Sequence, residues 1–251
     1  ATSFMPMLGQ YASAFASRQL NARMEAHGTL SDVEVKAMDM AMPGVFSLRA
    51  KGKARNALDI KRLEASLTLD GEVNDPSPIE RLAGQLPFSM PPLKVKGTLG
   101  ADSQTYSADV SMVTPRGALL ADGHVGLTSK RYDATLEVSD LDVACFMPDM
   151  GIGKVSARIH AAGNGFNPTL PKAATDFDAA ISSISYKGHL LRAVTLGGTL
   201  ADGRYSIDID SPNEDINLNA HIVGSLKPDN YCAEGLLRIY NADLMALGLM
   251  D

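Results

Sequence analysis

The 251-residue chain has no Trp, and its seven Tyr and seven Phe make up only 6% of the residues. Aromatic platforms that stack on sugars or bases are therefore scarce. A net charge of −6 without an arginine cluster further disfavours nucleic-acid binding. The two cysteines, Cys145 and Cys232, show no CxxC spacing and no clustered histidines. This argues against a zinc site and leaves two free thiols or a single disulfide as the alternatives.

Long apolar segments are also missing, although 45% of the residues are apolar, as in ordinary folded proteins. No apolar run approaches the roughly 20 residues of a membrane-spanning helix. The first residues lack the basic stretch of a signal peptide. Because the chain has no initiator Met and stops within a sequence pattern at residues 249–251, we expect it to be a piece of a longer protein.

Sequence signatures of catalysis are missing as well. The chain has no nucleophile elbow, zinc-binding helix, phosphate-binding loop or dinucleotide-binding turn. Its histidines are scattered, at positions 27, 124, 160, 189 and 221. Three acidic pairs are spaced two apart, which in a strand places both carboxylates on one solvated face: Asp140 and Asp142, Asp176 and Asp178, Asp208 and Asp210. We therefore expect no enzymatic activity, no metal and no cofactor.

Strict alternation of apolar and polar residues is the commonest pattern present. It is clearest in residues 63–70, 155–160, 205–210 and 216–222, and it predicts strands with one apolar face. Helical periodicity is restricted to residues 7–20 and to a segment that begins at Asp75 and Pro76 and ends near Leu86. Residues 141–146 and 244–247 are each predicted to form one or two helical turns. The predicted fold class is all-β, an elongated antiparallel sheet with a few short helices.

Asp-Gly pairs supply the turn signals. Asp202-Gly203, between Leu200 and Tyr205, is typical of a tight β-hairpin. By the same reasoning, Asp70-Gly71 and Asp122-Gly123 are predicted to be hairpin turns.

Self-comparison reveals an internal repeat. Short blocks recur in the same order: residues 4–9 as 146–151, 22–28 as 157–163, 97–99 as 198–200, and 106–110 as 205–209. This predicts one β repeat unit over residues 1–145, with an N-terminal helical segment and a helical insertion near 75–86. A second unit follows over residues 146–251 and is truncated at its C-terminal end. Such repeats build a sheet that grows by addition.

Residues 186–203 carry the pattern Tyr-x-Gly-x-x-Leu-x-x-(apolar)-x-Leu-x-Gly, which begins at Tyr186. This pattern leads into the predicted hairpin at Asp202. Together with residues 132–141, Pro148, Gly151 and Gly163, this pattern resembles the TamB/AsmA family of bacterial cell-envelope proteins. The resemblance is to the TamB-like branch of the type found in Bacteroidetes, and it covers essentially the whole chain.

The resemblance implies a periplasmic protein, anchored in the inner membrane in its full-length form, whose sheet curls into an apolar trough called a β-taco. Family members are implicated in phospholipid transport to the outer membrane and in outer-membrane protein assembly with a TamA-like barrel. This chain lacks the anchor and the C-terminal region that would meet a barrel. We therefore expect phospholipid or other acyl chains as its partner, and no direct barrel contact.

The alternating segments supply the residues for such a trough. The candidate lipid-groove residues are Leu67, Leu69, Val110, Leu136, Val138, Ile159, Ile207, Ile209, Leu218 and Ile222. Three interpretations remain open: an acyl-chain trough, a structural spacer or adhesin stalk whose apolar residues form a closed core, and a β-sandwich hydrolase or carbohydrate binder. The last requires a carboxylate pair on a concave face or exposed aromatics, and the sequence indicates neither.

Overall fold

A computed structural model describes residues 19–29, 31–83 and 89–243. In these residues fourteen strands follow one another, and each pairs antiparallel with the next in a single sheet. The strands are β1 (Asn21–Gly28), β2 (Val33–Met42), β3 (Phe46–Arg55), β4 (Glu64–Val73), β5 (Leu93–Asp102), β6 (Thr105–Thr114), β7 (Gly117–Gly126), β8 (Arg131–Asp142), β9 (Ile152–Asn164), β10 (Ala174–Tyr186), β11 (His189–Ala201), β12 (Arg204–Pro212), β13 (Ile216–Lys227) and β14 (Asn230–Ala242). The sheet is open, because β1 and β14 each pair with one neighbour within the described residues. The predicted all-β, antiparallel fold class is confirmed.

Helical structure is short, as predicted. The helix expected after Asp75 is present as α1 (Ser77–Ala83). The turns expected over residues 141–146 form a 3₁₀ helix, Val143–Cys145, and a second one follows at Pro148–Met150. Residues 1–18, 84–88 and 244–251 lie outside the described residues. The helix predicted over residues 7–20 and the turn over 244–247 fall there wholly or almost wholly.

The three Asp-Gly predictions have different outcomes. Asp202 and Gly203 form the predicted turn between β11 and β12, with φ of 49° and 71°. The other two predictions are wrong, because Asp70-Gly71 lies inside β4 and Asp122-Gly123 inside β7. The glycines there make room for side chains of neighbouring strands rather than for a turn. A Cβ on Gly123 would lie 3.0 Å from the Cβ of Ala134, and glycine within a strand commonly marks such an approach.

One corner of the sheet has a true core. Met42 and Val45, at the β2–β3 connection, are 1% and 0% exposed, and Pro78 of α1 is also fully buried. The carbonyl of Val45 accepts hydrogen bonds from the backbone N–H groups of Asn74 and Asp75, at 2.7 and 3.2 Å. These bonds fix the segment that leads into α1. We call this region the α1 corner.

The sheet continues without interruption across the predicted boundary between repeat units. That boundary falls in the connection between β8 and β9, and these two strands pair over most of their length. Of the repeated blocks, residues 22–28, 97–99 and 106–110 lie on β1, β5 and β6, and their counterparts 157–163, 198–200 and 205–209 lie on β9, β11 and β12. The two-unit division stays a prediction, and the strand order places the proposed units side by side in one sheet.

Candidate functional site

Strand register collects the apolar residues on one face of the sheet. Residues directly opposite each other in an antiparallel pair project to the same side. The pairs Leu67↔Leu99, Leu136↔Ile159 and Ile207↔Ile222 illustrate the rule. The registers of successive strand pairs continue this face from β1 to β14. At the usual spacing between strands, the face is about 60 Å wide. We call it the apolar face.

All ten candidate groove residues lie on the apolar face. The registers that place them are those of β4 with β5, β5 with β6, β8 with β9, β11 with β12, and β12 with β13. The sequence pattern therefore grouped them correctly, although they come from six different strands. Their role in lipid binding stays a prediction.

Bulges preserve the apolar face where alternation fails. In β8 the register shifts between Val138 and Leu141, so that both residues stay on the apolar side. The extra residue, Asp140, adopts φ of 46°, and its N–H donates to Ser156 Oγ at 2.9 Å. Ala193 of β11 has φ of 52° in a comparable interruption. Without such bulges every residue beyond them would change face.

The apolar face is largely uncovered outside the α1 corner. Leu67, Leu99 and Ile159 belong to internal strands with neighbours on both sides, yet they are 37%, 37% and 40% exposed. Beyond the α1 corner, the buried apolar residues of the described chain are Leu141, Ala157 and Ala173. A second layer would bury many more, so the sheet is a single layer here. Uncovered apolar faces of this kind are typical of surfaces that another molecule covers.

A groove runs across the strands on this face. Its floor is a row of small residues in register, Ala108, Gly123, Ala134 and Ala161, on β6 to β9. Larger side chains border the row, with Tyr106, Val125 and Tyr132 along one side and Val110, Leu136 and Ile159 along the other. The concavity has a volume of about 720 Å³. We call it the central groove.

Tyrosines form one border of the central groove and are held by hydrogen bonds. Tyr132 crosses Gly163 of β9, and its hydroxyl pairs with Thr175 Oγ1 of β10. A Cβ on Gly163 would lie 2.8 Å from the Tyr132 hydroxyl, so this crossing requires glycine. Tyr106 donates to the carbonyl of Ile60 at 3.3 Å. Sequence periodicity did not identify Tyr106 and Tyr132 as groove residues, although Tyr106 opens the repeated block at residues 106–110.

A second apolar concavity, of about 520 Å³, lies beside the α1 corner. Met40, Phe46, Leu48, Leu69 and Val95 are among its lining residues. Leu69 is the only candidate groove residue in this concavity, whereas Leu136 and Ile159 line the central groove. The apolar face therefore has two separate concavities, the central groove and the one beside the α1 corner.

The opposite face is polar and carries cross-strand ion pairs. Lys94 Nζ lies 3.2 Å from Glu72 Oε1, and Lys96 Nζ lies 3.4 Å from Asp70 Oδ2. His160 lies between two carboxylates, with Nε2 3.5 Å from Asp133 and Nδ1 3.3 Å from Asp178. These surface pairs are solvated and contribute little stability each.

Carboxylates of the acidic pairs contact neighbouring basic side chains. On the polar face, Asp208 Oδ1 lies 2.7 Å from His221 Nδ1, within hydrogen-bond distance. Asp142 pairs with Arg116 Nη1 at 2.9 Å, and this hydrogen bond lowers the pKa of the Asp142 carboxyl below its ordinary value. Nowhere in residues 19–29, 31–83 and 89–243 do three or more His, Cys, Asp or Glu gather as metal ligands would.

Two further observations bear on the sequence predictions. Cys145 and Cys232 are both free thiols. In the part of the chain that the structure describes, no helix has the length and apolarity needed to cross a membrane.

Comparison with known proteins gives no family assignment. The chain matches no family model, no curated protein and no solved structure.

Proposed function

We propose that the apolar face shields lipid acyl chains from water. The observation that carries this proposal is the 37–40% exposure of Leu67, Leu99 and Ile159 in internal strands. A face of this width left in water costs free energy, and hydrocarbon that covers it recovers part of that cost.

The dimensions of the central groove suit one acyl chain. One leaflet of a bilayer contributes about 15 Å, half of the roughly 30 Å hydrocarbon core. The small-residue floor spans four strands, or three strand spacings, which is also about 15 Å. Burying acyl carbons contributes about 0.8 kcal/mol per CH₂, so even a partly covered chain binds with useful affinity.

The wider role follows the resemblance to TamB/AsmA proteins. In this proposal the chain is a periplasmic, non-enzymatic scaffold that supports phospholipid transport to the outer membrane and outer-membrane assembly. Its mechanism is passive, because the groove contributes shielding alone. Direction then comes from partners at the two ends of the full-length protein.

A matched pair of arginine substitutions tests the proposal. Ile207 lies on the apolar face opposite Ile222, whereas the preceding Ser206 projects to the polar face opposite Val223. Purified wild type, Ile207→Arg and Ser206→Arg are exposed to a phospholipid with a photo-reactive acyl chain, and crosslinks are mapped by mass spectrometry. We expect wild type and Ser206→Arg to be labelled on the apolar face. Ile207→Arg should lose labelling at β11 to β13 and keep the circular dichroism of the strands.

The spacer alternative predicts a different result. If a partner protein or a second copy closes the apolar face, wild type remains unlabelled. Ile207→Arg then disrupts the assembly or unfolds the chain. That outcome would contradict lipid shielding.

A further inference from the structure

The tyrosine side of the central groove ends in a continuous row of turns. These turns join β3–β4, β5–β6, β7–β8 and β9–β10. Backbone hydrogen bonds link them in sequence: Ser103 N to Leu63 O at 3.0 Å, Leu127 N to Gln104 O at 2.9 Å, and Gly165 N to Lys130 O at 2.8 Å. We call this row the tyrosine edge.

The tyrosine edge is basic. Residues 56–63, 102–105, 126–131 and 164–174 contain five cations and two anions. The cations are Lys61, Arg62, Lys130, Arg131 and Lys172, and the anions are Asp59 and Asp102. All five cations are exposed, and within the described residues no ion pair involves any of them. The polar face carries both paired and unpaired cations: Lys94 and Lys96 are in ion pairs, whereas Lys51 and Lys53 are in none within the described residues.

The turns that carry these cations are ordered by side-chain hydrogen bonds. Tyr106 donates to Ile60 O at 3.3 Å, and Gln104 Nε2 donates to Lys61 O at 3.5 Å. Asp59 Oδ1 accepts the backbone N–H of Lys61 at 3.0 Å. One of the two acidic side chains at this edge is thus engaged with the backbone. The groove border and the basic turn are joined through Tyr106.

At the opposite ends of the same strands, acidic residues outnumber basic ones. Their connections carry four acidic residues, Asp75, Glu80, Asp142 and Asp149, against three basic ones, Arg81, Arg116 and Lys187. Arg116 is engaged with Asp142 at 2.9 Å. An amphiphile with a negative headgroup is therefore attracted to the tyrosine edge and not to the other edge.

We infer that the central groove takes a phospholipid of net negative headgroup charge, whose headgroup lies at the tyrosine edge and whose acyl chain turns at the tyrosine border to lie along the small-residue floor. This inference rests on the proposed function and adds the class and orientation of the lipid. Uncharged tyrosine hydroxyls and apolar rings at the border suit the junction between headgroup and chain. The exposed cations then supply the charge complementarity.

The test compares two photo-reactive lipids with identical acyl chains, phosphatidylglycerol and phosphatidylcholine, delivered from cyclodextrin rather than from vesicles. We expect wild type to be labelled by phosphatidylglycerol about fivefold more than by phosphatidylcholine at about 0.05 M salt. At about 0.5 M salt the preference should shrink, because exposed charges are screened. The Lys130→Gln/Arg131→Gln variant should lose most of the preference.

The control variant also removes two positive charges, but from the polar face. Lys51 and Lys53 of β3 project there, opposite Thr68 and Ser66, and Lys51→Gln/Lys53→Gln should keep the full preference. Equal labelling by both lipids, or equal loss in both double variants, would overturn the headgroup inference and leave acyl shielding intact. No labelling of the groove by either lipid would overturn the proposed function as well.

Discussion

The α1 corner and the central groove are built from the same kind of alternating strand, yet one is covered and the other is open. At the corner, Met42 is 1% exposed, Pro78 of α1 is fully buried, and the segment that leads into α1 is hydrogen-bonded to Val45. In the groove, Ile159 is 40% exposed, and no element of the described chain lies over it. Alternation alone therefore predicts which face is apolar, and a separate covering element decides whether that face becomes core.

This comparison implies that the two regions serve different purposes. The α1 corner contributes packing free energy, whereas the open face relies on the hydrogen-bond ladders between strands for its order. Substitutions should accordingly affect stability at the corner and ligand occupancy in the groove. Two predictions test this division.

The largest expected effect is the loss of packing at the α1 corner. Met42→Ala should reduce the free energy of unfolding by about 2–5 kcal/mol, the usual cost of truncating a buried Met. Met24→Ala on β1, where Met24 is exposed, should change it by less than about 0.5 kcal/mol. Chemical denaturation followed by circular dichroism measures both. Equal effects of the two substitutions would abolish the distinction between corner and open face.

A smaller effect is expected from filling space at two positions on the apolar face of the same strand pair. Ala157 is buried on β9, so Ala157→Leu should overpack its site and cost about 1–3 kcal/mol. Ala134 lies on β8, four residues from Val138, the partner of Ala157, and it is exposed on the groove floor. Ala134→Leu should leave the free energy of unfolding nearly unchanged and reduce lipid labelling of the groove.

The measurements are denaturation midpoints and crosslinking yields for both leucine variants. If Ala134→Leu destabilises as much as Ala157→Leu, the groove floor is a closed core, and the spacer interpretation gains support.

The sequence predicted the fold class and the membership of the apolar face because both depend on period-two patterning and side-chain polarity, which are local. Leu67, Val110 and Ile222 were grouped correctly for this reason. The strand glycines at Gly71 and Gly123 were misassigned as turns, because only the cross-strand neighbours reveal why glycine is there. The bulge at Asp140 was invisible for the same reason.

The groove and its tyrosine edge depend on register across several strands. The row of Ala108, Gly123, Ala134 and Ala161 is formed by residues from four strands that alternation cannot align. The crossing of Tyr132 over Gly163 likewise joins three strands through side-chain geometry. Sequence periodicity therefore lacks one kind of information, the register that aligns residues across several successive strands.

Native mass spectrometry of the purified protein, followed by extraction and identification of bound lipid, tests the central claim most directly. Acyl-chain shielding predicts near-stoichiometric phospholipid on the protein, displaced in the Ala134→Leu variant. A protein that carries no lipid, and whose apolar face a photo-reactive phospholipid then fails to label, would contradict it.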